Sequence, residues 1–123
     1  MNKSGKDNSR YLNHIIESIE LINQYSSNMS KHDFYIEQEK QDAIIRRLEI
    51  IGEASKKLPE NFRNKYSDVP WREMAGMRDI LAHQYFGIDL EIAWETIKNK
   101  IPEIEPKIRK IYDIIKTNDN EDK

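Results

Sequence analysis

The sequence predicts an all-α fold, an up-and-down antiparallel bundle of about five helices. Isoleucine and leucine recur at helical spacing along most of the chain. Glycine and proline number only four each, which argues against a sheet-rich or low-complexity protein. Val69 is the only valine, and no alternation of β-branched residues marks a strand. Helices joined by short links are therefore the natural architecture.

The composition fits one domain that covers residues 1–123, with 37% hydrophobic and 34% charged residues. The segments of about residues 1–8 and 117–123 are polar, and we expect them to lie outside the packed fold. The absence of cysteine excludes disulfides and thiol catalysis and suits a reducing compartment. No apolar run has the length of a signal or membrane segment. We therefore expect a soluble, cytoplasmic protein with no membrane association.

The first half of the chain predicts two helices. The first runs to about Ser27, and one apolar stripe defines it: Leu12, Ile15, Ile16, Ile19 and Ile22. His14 lies beside this stripe, where we expect it to be exposed and structural only. Ser30 and Asp33 have the S-x-x-D spacing of a helix start, and a second, long helix is predicted to continue from there until Pro59 ends it. Gly52 lies inside that helix at a cost of about 1 kcal/mol relative to alanine, so we expect it to pack closely against another helix.

A short helical turn is predicted next, from Pro59 to Tyr66, with Phe62 spaced to dock on the core. A helix that begins after Pro70 and ends near Gly87 follows it. We interpret Phe62, Trp71 and Trp94 as core residues rather than as stacking platforms.

The last part of the chain predicts two further helical segments. Asp89 is placed to cap the first of them, and Pro102 is predicted to break or kink it. The final apolar stripe consists of Ile104, Ile108, Ile111 and Ile115.

The net charge of −2 argues against an extended basic face for nucleic acid. Basic residues occur in short pairs, which we interpret as solvated helix surface rather than an RNA track: Arg46-Arg47, Lys56-Lys57 and Arg109-Lys110. If the substrate is RNA, its binding is expected to be local and weak, or to depend on a cleft between subunits.

The segment between Pro70 and Gly87 concentrates the reactive side chains of the chain. Asp79 and His83 are four residues apart, so the carboxylate can hydrogen-bond the imidazole and fix its tautomer. Arg78 and His83 are five apart and diverge by roughly 140° on an ideal helix. Three arrangements would still join them: a distorted last turn, a curled arginine, or a site shared across a two-fold dimer.

These side chains suit cleavage of a phosphodiester. The guanidinium of Arg78 can bind phosphate oxygens, and the imidazole of His83 can transfer a proton near neutral pH. Such a pair, without metal ligands, points to RNA, which carries its own nucleophile in the 2′-hydroxyl. Glu49 and Glu53 are four apart, but no Glu-x-x-His or His-x-x-x-His motif accompanies them. Solvated or ion-paired carboxylates are favoured over a metal pair, and no cofactor is expected.

The string from Arg78 to Tyr85, RDILAHQY, resembles the R-x4-H-x-Y motif of HepT-type toxins in the HEPN superfamily. The resemblance extends to residues 43–54 with Leu58-Pro59, to residues 70–73 and to residues 87–90, and it covers about residues 11–115. Asp79 follows the arginine where many members of the wider superfamily have asparagine.

The resemblance implies a HEPN-like bundle that acts as a metal-independent endoribonuclease, usually a homodimer, with Arg78 and His83 as catalytic residues and Asp79 in support. It also implies the toxin of a type VII-like toxin–antitoxin pair, whose partner is an MNT-type nucleotidyltransferase antitoxin. In that family the motif tyrosine accepts AMP groups from the partner, and Tyr85 has its position.

Two other functions stay open from the residues alone. The protein could be a non-catalytic helical partner or nucleotide-binding subunit of a nucleotidyltransferase, with Arg78 and Tyr85 contacting the nucleotide. It could also be a structural dimerisation bundle in which the motif joins two subunits. An RNA cleavage assay separates the first alternative from the ribonuclease.

Overall fold

The computed structural model describes residues 3–82 and 89–121 of the chain. Every element formed by these residues is helical, as the sequence predicts: α1 (Lys3–Tyr25), α2 (Lys31–Ile36), α3 (Gln38–Lys57), α4 (Glu60–Lys65), α5 (Trp71–Ala82), α6 (Leu90–Glu95), a π-helical turn (Thr96–Lys100) and α7 (Ile101–Glu121). Within these ranges no helix is both long and apolar enough to cross a lipid bilayer.

Helix α3 lies at the centre of the bundle, where it packs against α1 on one side and α5 on the other. Helix α7 packs on α1. Half of the buried apolar residues that the structure describes are isoleucines, and several of these are almost fully buried: Ile15, Ile19, Ile44, Ile51, Ile101, Ile104 and Ile108. Burial of one such side chain contributes roughly 1.5–3 kcal/mol. The stripes therefore fix which face of each long helix turns inward.

The predicted core positions of Phe62 and Trp71 are confirmed. Phe62 and Trp71 are buried, and their ring centroids lie 6.2 Å apart. The indole N–H of Trp71 donates to the carbonyl of Tyr66 at 2.9 Å, so this buried polar group is satisfied. Trp94 is partly buried against the core.

Both ends of the chain are more helical than predicted. Helix α1 already begins at Lys3, and α7 continues to Glu121, although the sequence predicted polar segments outside the fold there. Once a buried stripe has nucleated a helix, each further residue that becomes ordered adds one backbone hydrogen bond, so extension costs less than nucleation. Neither end contains a proline. The polar residues therefore extend helices that the core has already established.

The long helix predicted from Ser30 is in fact two helices, with a break at Glu37 (φ −88°, ψ 88°). The predicted start is confirmed, because the side chain of Ser30 accepts from the Asp33 N–H at 3.0 Å and that of Asp33 accepts from the Ser30 N–H at 3.1 Å. The buried amide of Gln41 stabilises the break, since it donates to the carbonyls of Phe34 at 3.0 Å and Tyr35 at 3.3 Å. It thus satisfies carbonyls at the end of α2.

Pro102 does not break its helix, contrary to the prediction. The chain stays helical through it, and the π-helical turn precedes it. In this turn the N–H of Ile101 donates to the carbonyl of Thr96, five residues back. In a regular α-helix the ring of Pro102 would clash with the carbonyl of Lys98, four residues earlier. The π-helical turn is wider at this point, so the helix can continue through the proline. Upstream, the predicted cap is confirmed, since Asp89 Oδ1 accepts from the Ile92 N–H at 3.2 Å.

Candidate functional site

Arg78 extends from α5 over α3 and pairs with Glu53. The distance from its Nε to Glu53 Oε2 is 2.8 Å, and the two side chains are 44% and 47% exposed. An ion pair this open to water contributes little stability, typically 0–1 kcal/mol. The recorded contact is at Nε, and the terminal nitrogens of the guanidinium carry four further N–H groups. The sequence-based choice of an ion-paired role for Glu53, rather than a metal ligand, agrees with this contact.

Gly52 sets the distance between the two helices at this point. A Cβ atom on Gly52 would lie 2.7 Å from the backbone nitrogen of Arg78 and 3.2 Å from the carbonyl oxygen of Met74. These neighbours are backbone atoms that cannot rotate away, so only glycine permits the observed approach. The predicted close packing of Gly52 is confirmed. Its partner is the backbone of the proposed catalytic arginine itself.

A cleft of about 420 Å³ opens beside this ion pair, between α1, α3 and α5. We call it the Arg78 cleft. Its polar lining comes from three helices: Tyr11, His14, Arg46, Glu49, Glu53, Lys57 and Arg78. The charged lining has three cations, Arg46, Lys57 and Arg78, and two carboxylates, Glu49 and Glu53. This excess of positive charge suits the cleft to an anionic ligand.

Some of these lining residues were not singled out as functional from the sequence. His14 is exposed, as expected, but it also faces the Arg78 cleft. On α3, Arg46, Glu49, Glu53 and Lys57 follow one another at spacings of three, four and four residues. That spacing places them on one face of a helix, and it was a signal available in the sequence. The contribution of α1 was not, because it depends on how the helices pack.

The remaining predicted site residues are only partly within the described structure. Asp79 lies in α5, but its side chain is outside the described part. His83 and Tyr85 lie outside the described residues. The predicted contact between Asp79 and His83, and the convergence of Arg78 with His83, therefore stay predictions. Among the side chains that the structure describes, no group of three or more histidine, aspartate or glutamate residues could hold a metal ion.

Comparison with known proteins identifies the family. The family model described as "Ribonuclease HepT-like" matches residues 15–111. The "Probable ribonuclease HepT" of Thermococcus cleftensis is 46% identical over 111 residues, which cover 90% of this chain and 98% of that protein. A "Putative RNase" of Caldanaerobacter subterraneus is 48% identical over 101 residues, or 82% of this chain and 90% of that protein.

A longer relative comes from Methanocaldococcus jannaschii and is named "Gamma-glutamylcyclotransferase and putative RNase". It is 51% identical over 115 residues, which are 94% of this chain, and the chain spans about half of that relative's length (52%). No solved structure gives a significant match. The matched segment contains Arg78, Gly52 and Glu53 together with the motif, and the chain belongs to the HepT-like family of ribonucleases.

Proposed function

We propose that the protein is a metal-independent endoribonuclease in which Arg78 binds the scissile phosphate and His83 transfers the proton. The observation that carries the proposal is the position of Arg78 in an open cleft of a HepT-like chain, with Nε held by Glu53 at 2.8 Å. The carboxylate of Glu53 lies beside the Nε edge of this guanidinium. Its terminal nitrogens can then bind two phosphate oxygens, the geometry in which arginine binds phosphate best.

The reaction follows from the chemistry of RNA. His83 accepts the proton of the 2′-hydroxyl while the 2′-oxygen forms a bond to phosphorus. The bond from phosphorus to the 5′-oxygen breaks, that oxygen takes a proton from a water molecule, and the imidazolium of His83 returns its own proton to the solvent. The products are a 2′,3′-cyclic phosphate and a 5′-hydroxyl. Arg78 neutralises the charge that develops on the phosphate oxygens in the transition state, and Asp79 is proposed to orient the imidazole of His83.

RNA cleavage in the presence of a chelator tests this function. The wild type is expected to leave a 2′,3′-cyclic phosphate and to fail on RNA with a 2′-deoxy nucleotide at the cleavage site. Arg78→Ala and His83→Ala should each lose activity, because a positioned acid–base group contributes about 10²–10⁴-fold. Arg10→Ala, which removes an exposed arginine of α1 outside the residues that line the Arg78 cleft, is the matched control and should cut normally.

Two results would contradict the proposal. If Arg78→Ala and His83→Ala both cut at the wild-type rate, the assignment of the site is wrong. If the wild type binds RNA or nucleotides without turnover, the alternative of a non-catalytic partner subunit is correct.

The biological role that we propose is that of the toxin in a type VII-like toxin–antitoxin pair. Its partner would be an MNT-type nucleotidyltransferase that transfers AMP to Tyr85. Tyr85 follows Arg78 by seven residues, about 10 Å along an ideal helix. An AMP group there would bring a second phosphodiester anion near the proposed phosphate site. Two like charges at 4 Å repel by about 1 kcal/mol in water and by about 4 kcal/mol at an effective dielectric constant of 20.

We further propose that the protein acts as a homodimer. Arg78 and His83 are five residues apart and point in directions roughly 140° apart on an ideal helix. A two-fold axis beside α5 would allow the arginine of one protomer to act with the histidine of its partner. This arrangement needs no distortion of the helix.

A further inference from the structure

A second cleft lies between α4 and the first turns of α5, and most of the charged residues that line it are cationic. Its volume is about 650 Å³. Lys56, Arg63 and Arg72 line it together with a single carboxylate, that of Glu60. We call it the α4–α5 cleft. A local excess of positive charge in a chain whose net charge is −2 marks a place where an anion is attracted.

Arg63 lines this cleft and has one donor without an acceptor. Its Nε is buried and makes no hydrogen bond to any residue that the structure describes. A buried donor left unsatisfied costs roughly 1–3 kcal/mol, and more when it is charged. Because this nitrogen has almost no accessible surface, the side chain would have to turn outward to meet an anionic oxygen in the cleft, and that movement would remove the cost. Arg72, by contrast, is exposed and free to move toward a ligand.

The α4–α5 cleft adjoins the Arg78 cleft. Lys56 and Lys57 are consecutive on α3, and the first lines the α4–α5 cleft while the second lines the Arg78 cleft. On α5, Ala75 lines one cleft and Arg78, three residues later, lines the other. Arg72 precedes Arg78 by about 9 Å along the helix axis. The linings of the two clefts are therefore adjacent on both α3 and α5.

We propose that the α4–α5 cleft binds backbone phosphates of the RNA next to the scissile one, through Arg63 and Arg72. This inference rests on the proposed ribonuclease function and adds to it the surface that holds the substrate. It also revises the interpretation of the basic pairs from the sequence. Lys56-Lys57 lies where the two clefts meet, so this pair is part of a short phosphate track instead of generic solvated surface.

Binding of an RNA that cannot be cleaved tests the proposal separately from catalysis. The probe is a fluorescein-labelled 12-nucleotide RNA with 2′-O-methyl groups, whose affinity is measured by anisotropy over a range of salt concentrations. Each lost phosphate contact with a single strand lowers the salt slope by about 0.7, which corresponds to roughly fivefold weaker binding at 0.1 M salt relative to a 1 M reference. Arg72→Ala and Arg63→Ala are each expected to show this loss, and the double variant should show about twice the change in slope.

The matched control is Lys65→Ala. Lys65 is an exposed cation on α4 that stands over the ring of Tyr66 and does not line the α4–α5 cleft. Its removal lowers the charge equally and should leave binding within twofold of the wild type. In cleavage assays on a long RNA, Arg72→Ala should raise KM more than it lowers kcat, because it weakens binding away from the reacting atoms.

Different outcomes separate this proposal from the proposed function. If Arg72→Ala binds like Lys65→Ala, the α4–α5 cleft does not bind RNA, whatever the cleavage assay shows. Because Arg72 is exposed, this variant decides the matter even if Arg63→Ala fails to fold. If the wild type binds the probe through Arg72 but cuts no RNA, the proposal for the α4–α5 cleft is correct and the proposed ribonuclease function is wrong. If the wild type does not bind the probe, the proposal is overturned.

Discussion

Replacing Gly52 by alanine tests whether the spacing between α3 and α5 controls the site. The new Cβ would lie 2.7 Å from the Arg78 nitrogen and 2.9 Å from the Arg78 Cβ. To reach an ordinary contact of 3.4 Å, the two helices must separate by about 0.7 Å at this point. The substitution therefore moves the backbone that carries Arg78, without removing any side chain that is proposed to bind RNA.

Two opposing effects set the change in stability. Alanine is favoured over glycine inside a helix by about 1 kcal/mol. Overpacking of a close contact costs about 1–3 kcal/mol, and here backbone atoms of α5 meet the new methyl group, so we expect the upper part of that range. The free energy of unfolding should fall by about 1–2 kcal/mol. Since a 1 Å misplacement can reduce a rate by about 10²-fold, RNA cleavage should fall by at least about tenfold.

Urea unfolding and RNA cleavage measure the two effects on the same samples. With an m-value of about 2 kcal/mol/M, the midpoint of Gly52→Ala should drop by about 0.5–1 M. Gly76→Ala is the matched control, because Gly76 also lies in a helix and a Cβ there would have no described atom within 4 Å beyond the excluded backbone of its own helix. It should gain up to about 1 kcal/mol and cut normally. A Gly52→Ala protein as stable and as active as the Gly76→Ala protein would refute the reasoning.

Three further predictions concern regulation, assembly and acid stability. After incubation with the nucleotidyltransferase and ATP, intact-mass spectrometry should show whole AMP units on the wild type, with loss of ribonuclease activity, and none on Tyr85→Phe. Sedimentation at micromolar concentration should show a dimer, and a strict monomer that still cuts RNA would exclude the shared site. Hydrogen bonds from the backbone and side chain of Ser30 lower the pKa of Asp33 below its ordinary 3.8. The ionised Asp33 should therefore stabilise the folded protein at pH values above 3.8, and this stabilisation should be lost as the pH falls through the lowered pKa. The urea midpoints of wild type and Asp33→Ala should differ near neutral pH and converge in acid.

The long helices could be predicted because their signal is periodic and local. The isoleucine stripes of α1, α3 and α7 identify both the helices and their buried faces, and Gly52 could be assigned a packing role from its cost alone. The break at Glu37 could not be predicted in this way. The break depends on the side-chain amide of Gln41, which donates to two carbonyls of α2. The spacing of apolar residues is the same for one helix as for two, so it does not indicate the break.

The site was predictable along one helix and not across helices. Motif spacing singles out Arg78 within α5, but its partner Glu53 comes from α3 and the facing His14 from α1. Such neighbours are set by packing between elements, which periodicity does not encode. The shared cleft of Arg63 and Arg72 could not be predicted for the same reason. The two arginines lie on different helices, and only the packing of α4 beside α5 places both on one cleft.

The short helix α2 has a consequence for how the molecule opens. A six-residue helix is not stable alone, and α2 depends on its cap, on Gln41 and on Glu91 of α6, which accepts from Lys31 at 2.6 Å and Tyr35 at 3.1 Å. Opening α2 removes one large side chain from the interior, that of Phe34, a loss of about 1.5–3 kcal/mol in burial. Its amides should therefore exchange with solvent through a local opening that leaves α1, α3 and α7 folded. We therefore expect the native state to include a minor form in which α2 is open while α3 and α5, which hold Arg78 and Glu53, stay packed.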